Sequence, residues 1–338
     1  MYMNYISKDK PQFKANLHCH TNLSDGVLTP VQVAEAYRQY GYSVLAITDH
    51  EAPYDHTDLT APDFLILTGY EAYIRPSRTC VYDPFAPEIH MNLLAKEPHN
   101  TTIIGYDPLF CKYMSTELAE TRKKAANAGP RRYDHEYIQT FIDTAVENGY
   151  LVTYNHPCWS MEGEDMVLDL GGLFSLEIFN TNSMNTNGYE HNISLYDKFL
   201  RRGKFIGCHG ADDNHNKRPF DDLLSDSFGS WTMILAEELT YPAVIEALEK
   251  GNFYASTGPE IRELTFEGKH VHLECSPAQR IIMHITPKLT KNVYHSDGSP
   301  VTEADFEIPE KADFVYFSVL EANGKAAYTR AFRREELV

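Results

Sequence analysis

The chain has 338 residues, 43% of them apolar and 23% charged, a mixture that buries a core and suits one large domain with an appendage or two ordinary domains. Its 30 Lys+Arg against 48 Asp+Glu give a formal net charge of -18, which argues against a nucleic-acid polymer as partner, while bound divalent cations would still admit a small anionic substrate. No apolar run reaches the roughly 20 residues of a membrane helix, and MYMNYISKDKPQF lacks the pattern of a signal peptide, so a cytoplasmic protein without membrane contact is expected.

From Phe13 to about Tyr254, short apolar runs alternate with amphipathic stretches. Lys14–Cys19 reads as a strand. Thr29-Pro30-Val31-Gln32 then offers a Thr N-cap, Pro at the first position and Gln where a capping box wants it, so a helix runs from here to Gly41. SVLAIT (43–48), FLILTGY (64–70) and IHMNLLA (89–95) read as buried strands. Segment 96–133 breaks the rhythm and is either a lid over a site or a plain surface excursion. A long helix follows Asp134 and ends at Asn148-Gly149. After it come strands at 150–155 and 175–180, a helical segment Tyr189–Arg202, strands at 204–208 and 231–236, and a helix from Pro242 to Lys250. This order predicts an α/β fold with parallel strands in a barrel or wound sheet over residues 1–258. Beyond Ser256-Thr257-Gly258-Pro259 the residues alternate polar with apolar, which predicts a small antiparallel, sandwich-like β domain over 259–338. Cys19, Cys80, Cys111, Cys158, Cys208 and Cys275 form no Cys-x-x-Cys pair and read as reduced thiols.

The histidines carry the chemical signal. Alternate residues of a strand share a face, so His18 and His20 point one way and Cys19 the other. Asp25 follows in Ser24-Asp25-Gly26, the second strand ends in Thr48-Asp49-His50 and the third in Gly69-Tyr70-Glu71. Asn155-His156-Pro157 closes a later strand, and Asp213-Asn214-His215 follows another. Strand ends of a β/α barrel converge on one rim, and imidazole with carboxylate suits zinc, manganese or iron without thiolates. Asp49 and Asp212 stand beside these residues and are expected to orient an imidazole. His209 reads equally as a rim or a core histidine.

In combination and order, these motifs resemble those of the polymerase and histidinol phosphatase (PHP) family over roughly residues 13–258. The resemblance implies a distorted seven-stranded, TIM-like (β/α)7 barrel that holds two to three divalent metals and hydrolyses phosphoesters. It further implies three ligand groups. His18, His20, Glu71 and Asp213 form one. Glu71 as a bridge, with His90 and His156, forms the second. Asp25, His50 and His215 form the third. His90 precedes its apolar run where the others follow theirs, which makes His99 its rival, and Asp25 stands where some members have histidine. Glu71, Asp213 and His215 are the expected catalytic residues.

On that reading a water held between two metals attacks phosphorus. Arg131 and Arg132 are the first candidates to bind the phosphate, with Arg75, Arg78 and Arg218 also near the motifs, and Asn180 is expected to line the pocket. The leading expectation is a phosphoesterase acting on a small phosphorylated metabolite, a nucleotide or sugar phosphate. Two alternatives stand beside it: an exonuclease or proofreading nuclease, and a barrel with structural metals whose β domain binds a carbohydrate or protein.

Overall fold

In the computed structural model, which describes residues 2–77 and 82–337, strands alternate with helices up to about residue 256. Arg78 and Cys80 lie outside the described residues. The strands in this part are β1 (Tyr2–Ile6), β2 (Phe13–Asn16), β3 (Val44–Ile47), β4 (Leu65–Ile74), β5 (Ile89–Ala95), β6 (Tyr150–Tyr154), β7 (Leu173–Asn180), β8 (Gly207–Ala211), β9 (Trp231–Ile234) and β10 (Phe253–Ser256). Helix Pro30–Gln39 starts as its capping box predicts: the Thr29 hydroxyl accepts from the Gln32 N–H at 3.3 Å, and the Gln32 side chain accepts from the Thr29 N–H at 3.0 Å. Helix His135–Glu147 begins on Asp134, whose carboxylate accepts from the Tyr137 N–H at 2.8 Å.

Several boundaries differ from expectation: β2 ends at Asn16 rather than Cys19, and β4 runs on to Ile74 rather than stopping at Tyr70. The helix expected from Tyr189 begins at Ile193, because Glu190 instead accepts from the backbone N–H groups of Cys158 and Trp159, both at 3.0 Å. Strand β8 begins at Gly207 rather than Lys204, since Gly203 and Lys204 still donate back to Leu200 and Phe199 of that helix.

β2 through β8 form a run of seven neighbours within a longer mixed sheet. β2, β3 and β4 are mutually parallel, as are β6, β7 and β8. β5 is antiparallel to both β4 and β6. The uniform strand direction expected for a barrel therefore fails at β5. Among the described residues no helix lies between β4 and β5 to carry the chain back across the sheet, and β5 pairs as the chain returns. Among the described residues no hydrogen-bond ladder closes β8 onto β2. Their extensions meet instead: the Asp213 N–H donates to His18 O and the His20 N–H to Asn214 O, both at 3.0 Å. Gly210 lets β8 press on β9, since a Cβ there would lie 2.9 Å from the Trp231 carbonyl oxygen.

Apolar faces fix this wall. Ile138, Phe141 and Ile142 of helix 135–147 bury against β5, β6 and β7, each contributing about 1.5–3 kcal/mol by leaving water. Val244, Ile245 and Leu248 of helix Tyr241–Glu249 cover Ala15, Val44 and Leu65, the starting ends of the parallel strands, and so seal the end opposite the rim.

The rest of the chain is antiparallel: β11 (Ile261–Glu267), β12 (His270–Ala278), β13 (Arg280–Thr286), β14 (Leu289–Val293), β15 (Val301–Glu307), β16 (Phe314–Leu320) and β17 (Ala326–Thr329). One layer runs β1-β11-β12-β15, while β14-β13-β16-β17 joins the long sheet through β10 and β9. Leu264, Phe266 and Leu273 of the first layer pack on Met283, Val315 and Phe317 of the second, forming a core between two sheets. β1, half-exposed and without an apolar run, is an edge strand that the sequence reading did not include. Among the described residues no helix is long and apolar enough to cross a membrane.

Candidate metal centre

The finishing ends of β2, β3, β6 and β8 converge on one rim and deliver His18, His20, His50, His156, Asp213 and His215 to it, while β4, which runs on to Ile74, supplies Glu71 from within its length. β5 runs the other way, so its starting end lies on the same rim, and His90 arrives there from ahead of its apolar run. Asp25 comes from the turn after β2. All nine residues that the resemblance singles out are thus brought to one place. His99, the rival of His90, is elsewhere: its side chain is 75% exposed and paired with Asp55 at 2.7 Å.

Glu71 lies at the middle. Its Oε1 is 3.1 Å from His18 Nε2, 3.0 Å from His90 Nδ1 and 3.3 Å from His156 Nε2, and its Oε2 is 3.3 Å from His20 Nε2 and 3.0 Å from His50 Nδ1. Asp213 Oδ1 lies 3.2 Å from His18 Nε2 and 3.0 Å from His20 Nε2. Asp25 Oδ1 stands 3.4 Å from His215 Nε2 and 3.7 Å from His50 Nε2. The groupings with ligand atoms in mutual reach are His18–His20–Glu71–Asp213, His20–Asp25–His50–His215 and His50–Glu71–His90. His156 meets the cluster through Glu71.

Most of these rings are held from behind so that the other nitrogen faces inward. His18 Nδ1–H donates to Glu177 at 3.0 Å, His156 Nδ1 meets the Ser160 hydroxyl at 3.2 Å, and His215 Nδ1–H donates to the Asp213 carbonyl at 2.9 Å. His90 Nε2 lies 3.3 Å from Glu88. Such partners fix a tautomer and leave the inward lone pair for a cation. Glu177 and Glu88 escaped the sequence reading. The signal for Glu177 was an acid inside the otherwise apolar run SLEIFN, a residue type seldom buried without a partner. Asn155, which donates to Glu71 at 2.9 Å, and Asp226, which accepts from the His215 N–H at 2.8 Å, were missed as well.

The electrostatics are those of a site that needs positive charge. Burial opposes a charged His20, but the hydrogen bonds it donates to Asp213 and Glu71 override it and hold the pKa up at about 10. His90 likewise stands at about 10, burial being outweighed by Glu71 and Glu88. Burial also resists ionisation of Glu71, yet the surrounding imidazoles hold its carboxyl well below the usual range. Ring nitrogen His20 Nδ1 is buried without a hydrogen bond among the described residues, its nearest carboxylate oxygen being that of Asp25 at 3.9 Å. His156 and Asp213 take φ of 26° and 54°, a left-handed conformation that costs energy and gathers at functional sites. An all nitrogen and oxygen donor set with an orphaned imidazole nitrogen fits a divalent cation.

The cluster forms the floor of a cavity of about 360 Å³, whose cations are Arg75, Lys112 and Lys217. Arg131 is not among them: it is buried, bidentate to Glu51 at 2.5 and 2.6 Å, and its Nε donates to the Gly105 carbonyl. A guanidinium with its fork spent on a carboxylate has none left for phosphate. Arg132 pairs with Asp134 on the surface and Arg218 with Asp222, neither lining the cavity. Asn180 also sits behind the wall, donating to Glu177 at 2.9 Å and Asp213 at 3.3 Å, while Asn182 lines the cavity. Asp49 orients no imidazole but holds the Asp25 turn, through Thr21 N–H at 2.8 Å and the Ser24 hydroxyl at 2.6 Å. Asp212 gathers the backbone N–H groups of Phe228, Gly229 and Ser230. His209 is a core histidine on Ser175, at 2.8 Å.

No family model matches the chain. A stretch of 62 residues, 17% of this chain, is 39% identical to a 5'-3' exoribonuclease of Haemophilus influenzae, and covers 23% of that protein's length. The chain is also similar to a solved two-domain protein from Bacteroides vulgatus containing a predicted PHP-like metal-dependent phosphoesterase. The two are 15% identical, with 97% of this chain and 96% of that one covered and a TM-score of 0.43. An amidohydrolase from Chromobacterium violaceum with bound sulfate is 14% identical, with 60% of this chain and 87% of that one covered and a TM-score of 0.38.

Proposed function

We propose that this chain is a metal-dependent phosphoesterase of the PHP type, acting on a small phosphorylated metabolite, with residues 1–258 forming a distorted seven-stranded barrel and 259–338 an accessory β domain. One observation carries the reading: a single buried carboxylate, Glu71, stands within 3.0–3.3 Å of imidazole nitrogens from five histidines. A structural metal needs a closed set of about four ligands and no open face, whereas this cluster opens onto a cavity.

His18, His20, Glu71 and Asp213 would hold one cation, Glu71 with His90 and His156 a second, and Asp25, His50 and His215 a third. Divalent cations there supply Lewis acidity and lower the pKa of water from roughly 15.7 to about 7. The protein's own part is positioning. Glu177, Ser160 and the Asp213 carbonyl aim the imidazoles. Lys112 and Lys217 are exposed at the mouth, where they draw in a phosphate and neutralise its outer oxygens. Arg75 adds a buried positive charge beside Glu88. Trp159 and Tyr113 wall the cavity against bulk water.

The test is phosphate release from a panel of nucleotides, sugar phosphates and a short oligoribonucleotide, before and after chelation and with zinc, manganese or iron restored. Activity on small esters should vanish with the metal and return with it. Undiminished release after chelation would overturn the reading. The oligoribonucleotide addresses the exonuclease alternative, which the 62-residue match favours and the net charge of -18 opposes.

A further inference from the structure

Beside the metal cavity lies a second one of about 210 Å³, and the two share Tyr82, Glu88 and Trp159. Their linings differ in charge. Arg75, Lys112 and Lys217 line the first, whereas the described lining of the second contains Asp83 and no Lys or Arg. Glu88, at the boundary, is already engaged by Arg75 at 3.1 Å and His90 at 3.3 Å, so among the described lining residues Asp83 is the charge left to the outer cavity.

Trp159 stands at the junction. Its ring is held edge-on by His156 (centroids 4.9 Å, 79°) and His90 (5.1 Å, 66°), which fixes its plane beside the metal cluster. Tyr82 stacks over it at 6.1 Å and 17°, while remaining 55% exposed. A fixed aromatic face backed by a second, half-exposed ring is what a flat ligand ring stacks on. Together the two cavities span a volume within the roughly 300–1,000 Å³ usual for small-molecule sites.

We infer that Trp159 and Tyr82 form a subsite for an uncharged flat ring, so that the ester hydrolysed is a single-phosphate ester whose alcohol half carries an aromatic ring and no second phosphate. This deepens the phosphoesterase reading and rests on it. The phosphate lies over the cluster among the cations, and the ring lies along Trp159 toward the outer cavity, where Asp83 repels a further anionic group. A sugar phosphate without a ring of this kind leaves the Trp159 face unused.

The experiment separates the two ideas. The sequence has 2 tryptophans, and Trp231 packs under Lys14 at 4.1 Å, outside the cavities, so the full-length Trp231→Phe protein reports from Trp159 alone. Adenosine, which has no phosphate, should quench that emission saturably, and adenosine 3',5'-bisphosphate should bind more weakly than adenosine 5'-monophosphate. In kinetics, Trp159→Leu should raise KM for adenosine 5'-monophosphate on the order of 10-fold more than it raises KM for glycerol 2-phosphate. Tyr82→Ala, further from the cluster, should act in the same direction with a smaller change. Absence of quenching, tighter binding of the bisphosphate, or equal KM changes for both esters would overturn the subsite. Quenching by adenosine without hydrolysis of either ester would support the subsite and sink the phosphoesterase reading.

Discussion

His18, His20, Glu71 and Asp213 on the rim, and Glu263, His272 and Glu274 on the outer antiparallel layer, both bring imidazole and carboxylate atoms within 4.8 Å of one another. The rim group is buried, and four of the rim imidazoles meet Glu177, Glu88, Ser160 or the Asp213 carbonyl behind them. The outer group is half-exposed. His272 spends both nitrogens on Asp305 (2.8 Å) and Glu274 (3.3 Å), and the Lys8 ammonium sits 2.5 Å from Glu274 and 3.0 Å from Glu263. Residue type and proximity are therefore not enough. What marks a cation site is lone pairs aimed inward by partners behind them, with no protein cation already in place.

The sharpest way to break this comparison is to neutralise one carboxylate in each cluster. Glu71→Gln should lower phosphate release by more than about 10³-fold, because a shared ligand acts through every cation it touches. Glu274→Gln should leave turnover unchanged, and equal losses in the two variants would erase the distinction. Next in size is Arg131→Met. It strands Glu51, the residue after His50, as a buried carboxylate without its partner, and removing one member of such a pair costs about 3–5 kcal/mol. Urea unfolding should show that loss; a change below about 1 kcal/mol would mean that Glu51 finds water instead.

Much of this was legible in the residues. His18-Cys19-His20, Thr48-Asp49-His50 and Asp213-Asn214-His215 each close an apolar run, and strand ends meet on a rim whatever their partners are. The capping box at Thr29 needed only local chemistry. His90 was harder, because IHMNLLA is buried along its whole length and such a run reads the same in either direction. Its antiparallel course shows only in the pairing of β5 with β4 and β6, which a site-by-site reading does not weigh. Arg131 misled for a different reason: its partner Glu51 lies 80 residues away in sequence, and no spacing rule connects them.

Glu177→Gln gives a smaller, more specific test. It keeps the shape but weakens the hold on His18 Nδ1–H, so metal affinity should fall about 10–100-fold, measurable by competition with a chromogenic chelator, with little change in melting temperature. Unchanged affinity would make Glu177 a mere core partner. The smallest effect belongs to the outer cluster. Slight burial opposes charge on His272, but Asp305 and Glu274 prevail and raise its pKa. A raised folded-state pKa adds stability below the ordinary imidazole value and loses it as pH climbs through the folded one. The melting-temperature advantage of the unmodified protein over His272→Asn should accordingly shrink as pH rises from about 6 to 9; a growing advantage would contradict the sign.

Anomalous diffraction from crystals grown with manganese or zinc and measured at the metal's absorption edge tests the central claim most directly. Peaks should fall between Glu71 and its ring of imidazoles and between His18, His20 and Asp213, with none at Glu263, His272 and Glu274. An empty rim, or signal confined to the outer layer, would contradict the account.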